Sequence, residues 1–415
     1  MVSTMIDLII FALIGVAIGT FTGLVPGLHI NTLIPLLLSL TLLTANPHLL
    51  AVMIVSIAIA QVFTSFIPSI FLGAPEADTS LSVLPGHRIL FEGRGFEAII
   101  LTAVGGLCSL FLTLLLVFFL SDYFKIFYEL SRPYIALVIS AVVIFMIFSE
   151  KGFKKILLAA TVIALSGLLG ILVLNSSLVD PQNVLFPVFS GLFGLSNLIV
   201  SISSSSKIPV QNYDYKSKIS KSGFLKAVLL GSISGIAVGF LPAIGVSQAA
   251  AIVQLGKMND PRNFLVSMSS INTANEIFSL ISLYLVGNPR SGASVAIENI
   301  LPSITVYDTL LLVGTIVFAS GISVVLTIIL GKKIPRILEN LDYKKISITI
   351  IIFIICMIGL ITGIYGLLIG FAATSIGLLC NFLGVRRGNN MGVLLIPSII
   401  FFTDLNPIVV SLLQQ

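Results

Sequence analysis

The sequence predicts an all-α polytopic membrane protein made of two inverted-topology repeats of about seven membrane segments each. Three observations predict it. Hydrophobic residues make up 57% of the 415 and charged residues only 9%, against roughly 25% charged in a soluble domain. A glycine-rich segment and a later Gly/Pro element each occur twice at nearly constant spacing. When the apolar segments are made to alternate across a bilayer, Lys and Arg collect on one side.

Apolar segments run over 6–25, 28–44, 48–72, 97–121, 133–149, 154–174 and 184–202. A Ser- and Lys-rich stretch, 203–221, reads as a cytoplasmic linker. A second set follows at 222–241, 244–256, 264–286, 304–331, 346–362, 364–384 and 391–412. Most are close to the roughly 20 helical residues that cross a bilayer core. The predicted units are therefore repeat 1–202, linker 203–221 and repeat 222–415. The stretch Leu8–Leu24 follows Asp7, with no basic leader and no small-residue cleavage site. It reads as a membrane segment, not a cleaved signal.

Seven segments per half, an odd number, insert the second half upside down relative to the first. With both termini outside, 19 of the 22 Lys and Arg face the cytoplasm; only Lys125, Arg132 and Arg290 fall outside. That asymmetry explains the net charge of +5 without a nucleic-acid partner and places the protein in the cell membrane, surrounded by lipid. Segments 28–44 and 244–256 are short enough to be half-spanning hairpin arms, which the charge pattern leaves open. Cys108, Cys356 and Cys380 all sit in apolar segments and read as packing residues.

The first repeated element is GVAIGTFTGLVPGL (15–28) against GSISGIAVGFLPAI (231–244), with Gly15, Gly19, Gly23 and Pro26 each matched 216 positions on. Pro26 and Gly27 break an apolar helix, as does Pro242. A break at membrane depth is tolerated where it lines a polar cavity, and the helix that restarts there aims free amides at an anion. His29, Asn31 and Thr32 occupy that first turn; Gly245, Ser247 and Gln248 occupy the comparable one. One such break could be an ordinary proline kink. Two at a constant offset point to a transporter site. His29 alone reads equally as a buried structural histidine or a ligand.

The second element is FLGAPEADTS (71–80) against LVGNPRSGAS (285–294), with Gly73 and Pro75 matched by Gly287 and Pro289, 214 positions on. Both follow long apolar helices and carry small hydroxyl residues (Thr79 and Ser80; Ser291) suited to closing over a ligand. Arg290 suits a carboxylate, whereas Glu76 and Asp78 suit a cation or proton. Between them, Asn272, Asn275 and Glu276 interrupt the apolar segment 264–286 at near-helical spacing. An acid at membrane depth is a functional candidate by default, and Gln61, near Thr64 and Ser65, reads as its counterpart. No phosphate-cradling GxxxxGK[ST], HExxH or nucleophile elbow occurs, so no enzyme, metal centre or cofactor is expected.

These motifs resemble the large membrane subunit of tripartite tricarboxylate transporters, the TctA family. Gly15–Leu28 and Gly231–Gly245 are similar to its Gly-rich segments ending in a PGLG-like break. Gly73–Ser82 with Pro85-Gly86-His87, and Gly287–Ser294, are similar to its second element. Asn275-Glu276 stands where the family has a polar helix. Here His29 replaces the last Gly of PGLG, Ala243 departs from PGxG, and Glu76 stands where Gly is usual. The resemblance implies an ion-gradient-driven permease working with a small membrane subunit and an extracytoplasmic solute-binding protein.

The expected function is secondary transport of an organic anion, a di- or tricarboxylate, coupled to Na⁺ or H⁺. The residues after Pro26 and Pro242 would hold the anion, the two Gly/Pro loops would complete the site, and Glu276, Glu76 and Asp78 would couple the ion. A flippase for a polyprenyl-phosphate is the alternative within transport. A membrane-embedded enzyme on a lipid substrate, starting from Glu276 and His29, is the alternative outside it. A homo-oligomer is compatible with either.

Overall fold

The computed structural model describes residues 2–25, 30, 46–75, 78–181, 183–203, 209–213, 217, 219–240, 245–255, 260–287, 291–301, 303–338, 343–403 and 405. Among these the secondary structure is helical throughout. In chain order the helices are α1 (Val2–Leu24), α2 (Pro47–Thr64), α3 (Phe66–Leu72), α4 (Val83–Phe91), α5 (Gly95–Ser131), α6 (Ile135–Phe148), α7 (Phe153–Leu174), α8 (Leu185–Phe189) and α9 (Ser196–Ser203). There follow α10 (Lys221–Phe240), α11 (Val246–Leu255), α12 (Pro261–Leu285), α13 (Gly292–Ile300), α14 (Val306–Leu338), α15 (Tyr343–Leu383) and α16 (Gly392–Phe402).

Seven stretches of these helices are long and apolar enough to span a membrane: Met5–Leu24, Pro47–Leu72, Gly95–Phe124, Phe153–Leu174, Lys221–Gly239, Val306–Arg336 and Ser347–Leu383. The last contains two of the predicted segments. Gly363 adopts φ +65° and ψ −161° there, and Ile358 Cδ1 lies 3.4 Å from where a Cβ on Gly370 would sit. Residues twelve apart in a straight helix are about 18 Å apart, so the chain reverses at Gly363. The predicted segment 244–256 is the ten-residue α11, too short to span. Segment 28–44 lies, except Ile30, outside the described residues.

The innermost helix is α2 with α3; every residue of its apolar window is buried. A helix apolar on all sides belongs inside a bundle. Its start is fixed by Asn46, whose side chain accepts from the His48 amide, with Pro47 at the first helical position. The start of α12 repeats this 214 positions on: Asp260 accepts from the Arg262 amide and Pro261 follows the cap. Both long helices end at a glycine in the left-handed region, Gly73 and Gly287, each at φ +66°.

The glycine helices lie against these two. A Cβ at Gly15 would sit 2.5 Å from the Met53 carbonyl oxygen, and one at Gly231 would sit 2.6 Å from that of Ser267. Gly19 faces Ile57 and Gly235 faces Ile271 in the same way. The contacts keep the 214–216 offset, so α1 on α2 and α10 on α12 are equivalent pairs. The halves also interlock: α12 packs on α5 of the first half, and α2 packs on α14 of the second. Outside this core, Phe118, Leu137, Phe148, Leu360 and Phe371 are exposed, as expected for side chains facing lipid.

Loops predicted on the cytoplasmic side touch one another. Gln211, in the linker, accepts from the Gly95 amide at 2.7 Å and donates to the Leu90 carbonyl at 3.2 Å. The Arg336 guanidinium lies 4.9 Å from the Tyr213 ring centroid. Lys155 Nζ reaches the Gly384 carbonyl at 3.1 Å, and Glu150 accepts from the Arg386 amide at 2.7 Å.

Candidate functional site between the two halves

After Gly73 the chain turns through Ala74 and Pro75, which are both buried. Pro75 packs near Gly194, in a π-helical turn over Ser190–Leu195; such turns inside α-helices often mark functional sites. Past residues 76–77 the chain resumes at Asp78 and Thr79 and enters a 3-10 turn, Ser80–Ser82. Ser69 on α3 pins it: its hydroxyl donates to the Thr79 carbonyl at 3.1 Å and pairs with the Ser82 hydroxyl at 2.6 Å.

This loop reaches the other half twice. Ser80 Oγ lies 2.8 Å from Ser247 Oγ, on the first turn of α11 just after Gly245. Asp78 is close enough to Glu276 of α12 for the two carboxylates to repel. Glu276 Oε1 in turn accepts from Ser291 Oγ at 3.2 Å, and Ser291 caps α13 in a reciprocal pair with Ser294. Burial pushes the Asp78 carboxyl up to about 6. Asn272 is buried, Asn275 is half-buried, and both share a face of α12 with Glu276.

The structure thus brings together Asp78, Thr79, Ser80, Ser247, Glu276 and Ser291, with Pro75 beside them. Pro26, Gly27, His29, Asn31, Thr32, Glu76, Pro242, Pro289 and Arg290 lie outside the described residues, as does the side chain of Gln248. The Ile30 amide donates to Gln61 Oε1 at 2.9 Å. Gln61 is not the counterpart of Glu276. The matched caps at Asn46 and Asp260 put Gln61 opposite Asn275 and Val62 opposite Glu276, so Glu276 has no acidic equivalent in the first half.

Sequence reasoning missed a second pair of contacts. His48, at the start of α2, meets Asp308 of α14 at 2.8 Å. Arg262, at the start of α12, meets Glu97 of α5 at 3.1 Å and Glu92 at 2.8 Å, while Arg94 also holds Glu97 at 2.8 Å. His48 and Arg262 correspond at offset 214, and Glu97 and Asp308 at 211. Each long inner helix is therefore tied at its start to an acid of the opposite half. Asx-Pro-basic at 46–48 and 260–262 was the available signal. His87 on α4 was also passed over as a buried group. Its Nε2 has no partner among the described residues, and burial, with Arg387 nearby, lowers its pKa to about 4.

The family model for the tripartite tricarboxylate transporter TctA family matches residues 9–392. The chain belongs to the TctA family. It is also 31% identical over 411 residues to an uncharacterized protein of Methanocaldococcus jannaschii, covering 95% of this chain and 98% of that protein. No solved structure matches it. TctA membership makes the protein a multi-pass membrane component of a transport system, in keeping with its apolar helices.

Proposed function

We propose that this TctA-family protein is a secondary transporter that moves a di- or tricarboxylate, driven by a Na⁺ or H⁺ gradient, through a site between two inverted repeats. One observation carries the reading: Asp78 and Glu276, from opposite halves, lie near enough for their charges to repel, with Ser291 bonded to Glu276 and Ser80, two residues from Asp78, bonded to Ser247. Two carboxylates held together gain from a shared cation or proton. The start of α11, where Ser247 meets Ser80, offers helix N-terminal amides to an anion. Cation and anion then stabilise each other's binding, which is the physical basis of coupled transport.

A small membrane subunit and an extracytoplasmic solute-binding protein are the partners proposed, on the family's tripartite organisation. In proteoliposomes, uptake of labelled citrate or succinate should require an imposed Na⁺ or H⁺ gradient and fall at least tenfold in Glu276→Gln. Gradient-independent uptake would remove the coupling role. A flippase for a lipid-linked phosphate is the second reading, favoured by Arg88, Arg386 and Arg387, which line a cavity between the halves.

A further inference from the structure

A cavity of about 560 Å³ opens between the two halves, with Ser80 among its lining residues. Among the described residues three arginines line it, Arg88 on α4 and Arg386 and Arg387 after α15, and no acidic residue does. Pro261 and Phe264, from the start of α12, are also in its wall. Arg387 Nε is held at 2.8 Å by Asn381 Oδ1, which fixes a half-buried guanidinium in place. Acids beside it are engaged with other groups: Asp260, next to Pro261, accepts from the Arg262 amide. Glu92 lies 4.0 Å from Arg88 but 2.8 Å from Arg262, and Glu150 accepts from the Arg386 amide and from Asn389.

A wall of one sign, in a cleft with low-dielectric sides, focuses the field and concentrates counter-ions. Guanidinium groups are also suited to planar, multidentate binding of carboxylate or phosphate. The cavity is wide enough for such an anion, and its lining Ser80 bonds Ser247 at the restart of α11. It therefore shares Ser80 with the candidate site and opens toward one face of the protein. That face carries the segments 86–94 and 384–391, which the charge distribution assigns to the cytoplasm.

We propose that this arginine-lined cavity is the cytoplasmic port of the transport path, binding a small anion of two or more charges between the central site and the cytosol. The proposal rests on the transport reading and adds where the anion leaves or enters. A monoanion or neutral molecule gains too little from three guanidinium groups to be held there. Specificity for multiply charged anions is thus set at the port as well as at the centre.

Leu84 lines the cavity and is 49% exposed, so a Leu84→Cys variant lacking the three native cysteines reports on it. Anionic methanethiosulfonate ethylsulfonate should modify it about tenfold faster than the cationic ethyltrimethylammonium reagent, and from the cytoplasmic face only. Adding Arg386→Gln should reduce that preference, and adding Arg88→Gln as well should bring it near one. Arg386 is exposed, so its variant should leave folding intact, which unchanged thermal stability would verify. Citrate should slow the labelling if the port serves a soluble carboxylate; a short-chain polyprenyl phosphate should slow it if the anion is lipid-linked.

Equal rates for the two reagents, labelling from the opposite face, or protection by neither anion would overturn the port. Citrate uptake by wild-type proteoliposomes is scored separately. Uptake with no charge preference in the labelling of Leu84→Cys sinks the port and keeps the transporter. Charge preference with protection by polyprenyl phosphate alone keeps the port and sinks the carboxylate reading.

Discussion

Asp78 and Arg262 carry opposite problems of burial. The Asp78 carboxyl, raised to about 6 by burial, favours its protonated form; that contribution to stability is present in acid and lost as pH rises through about 6. A bound cation offsets the loss only where the proton has left. The rise in Tm on adding Na⁺ should thus be larger at pH 8 than at pH 5, and Asp78→Asn should flatten the difference. An equal shift at both pH values would remove Asp78 as a sodium ligand. Arg262 is the reverse case, since its side chain is 10% exposed and the Glu97 it holds is 2% exposed. Removing it leaves Glu97 to Arg94 and the Ser217 hydroxyl, and Arg262→Met should cost about 3 kcal/mol. The equivalent His48→Ala breaks a pair whose His is 34% exposed and should cost about 1 kcal/mol or less. Chemical denaturation in mild detergent would read both.

At the scale of elements, the glycine helices were legible because close backbone approach admits only glycine, and Gly15, Gly19 and Gly23 reappear at a fixed offset. Gly19→Val and Gly235→Val should each destabilise by about 2 kcal/mol, because the added side chain meets the backbone of α2 or α12. Gly314→Ala, where nothing lies within 4 Å, should instead gain about 0.5–1 kcal/mol from helix propensity. The break between segments 346–362 and 364–384 was legible too, and the chain reverses there at Gly363. The π-helical turn at Ser190–Leu195 was not, since no periodicity distinguishes SGLFGL from an α-helical run. Nor were the ties at Arg262–Glu97 and His48–Asp308, whose members are 165 and 260 residues apart. Local pattern carries no information about such pairs unless the repeat is used to align them.

For the whole molecule, the interlocked packing of α2 on α14 and α12 on α5 means that neither half forms its inner surface without the other. The site residues follow the same rule. Ser80 bonds Ser247 and Asp78 lies near Glu276 only once the halves are packed together, so composition and spacing could nominate them but not pair them. An inverted arrangement further requires the loops around Val210 and Tyr307, 82% and 70% exposed, to lie on opposite faces. Val210→Cys should label only from the cytoplasm and Tyr307→Cys only from outside. The most direct test of coupled transport at the junction of the halves is gradient-driven citrate uptake into proteoliposomes by wild type, Asp78→Asn and Glu276→Gln. Wild type should accumulate citrate against its gradient while Na⁺ or H⁺ flows inward, and both variants should bind citrate more weakly and fail to accumulate it. Full accumulation by both variants would contradict a coupling site at Asp78 and Glu276.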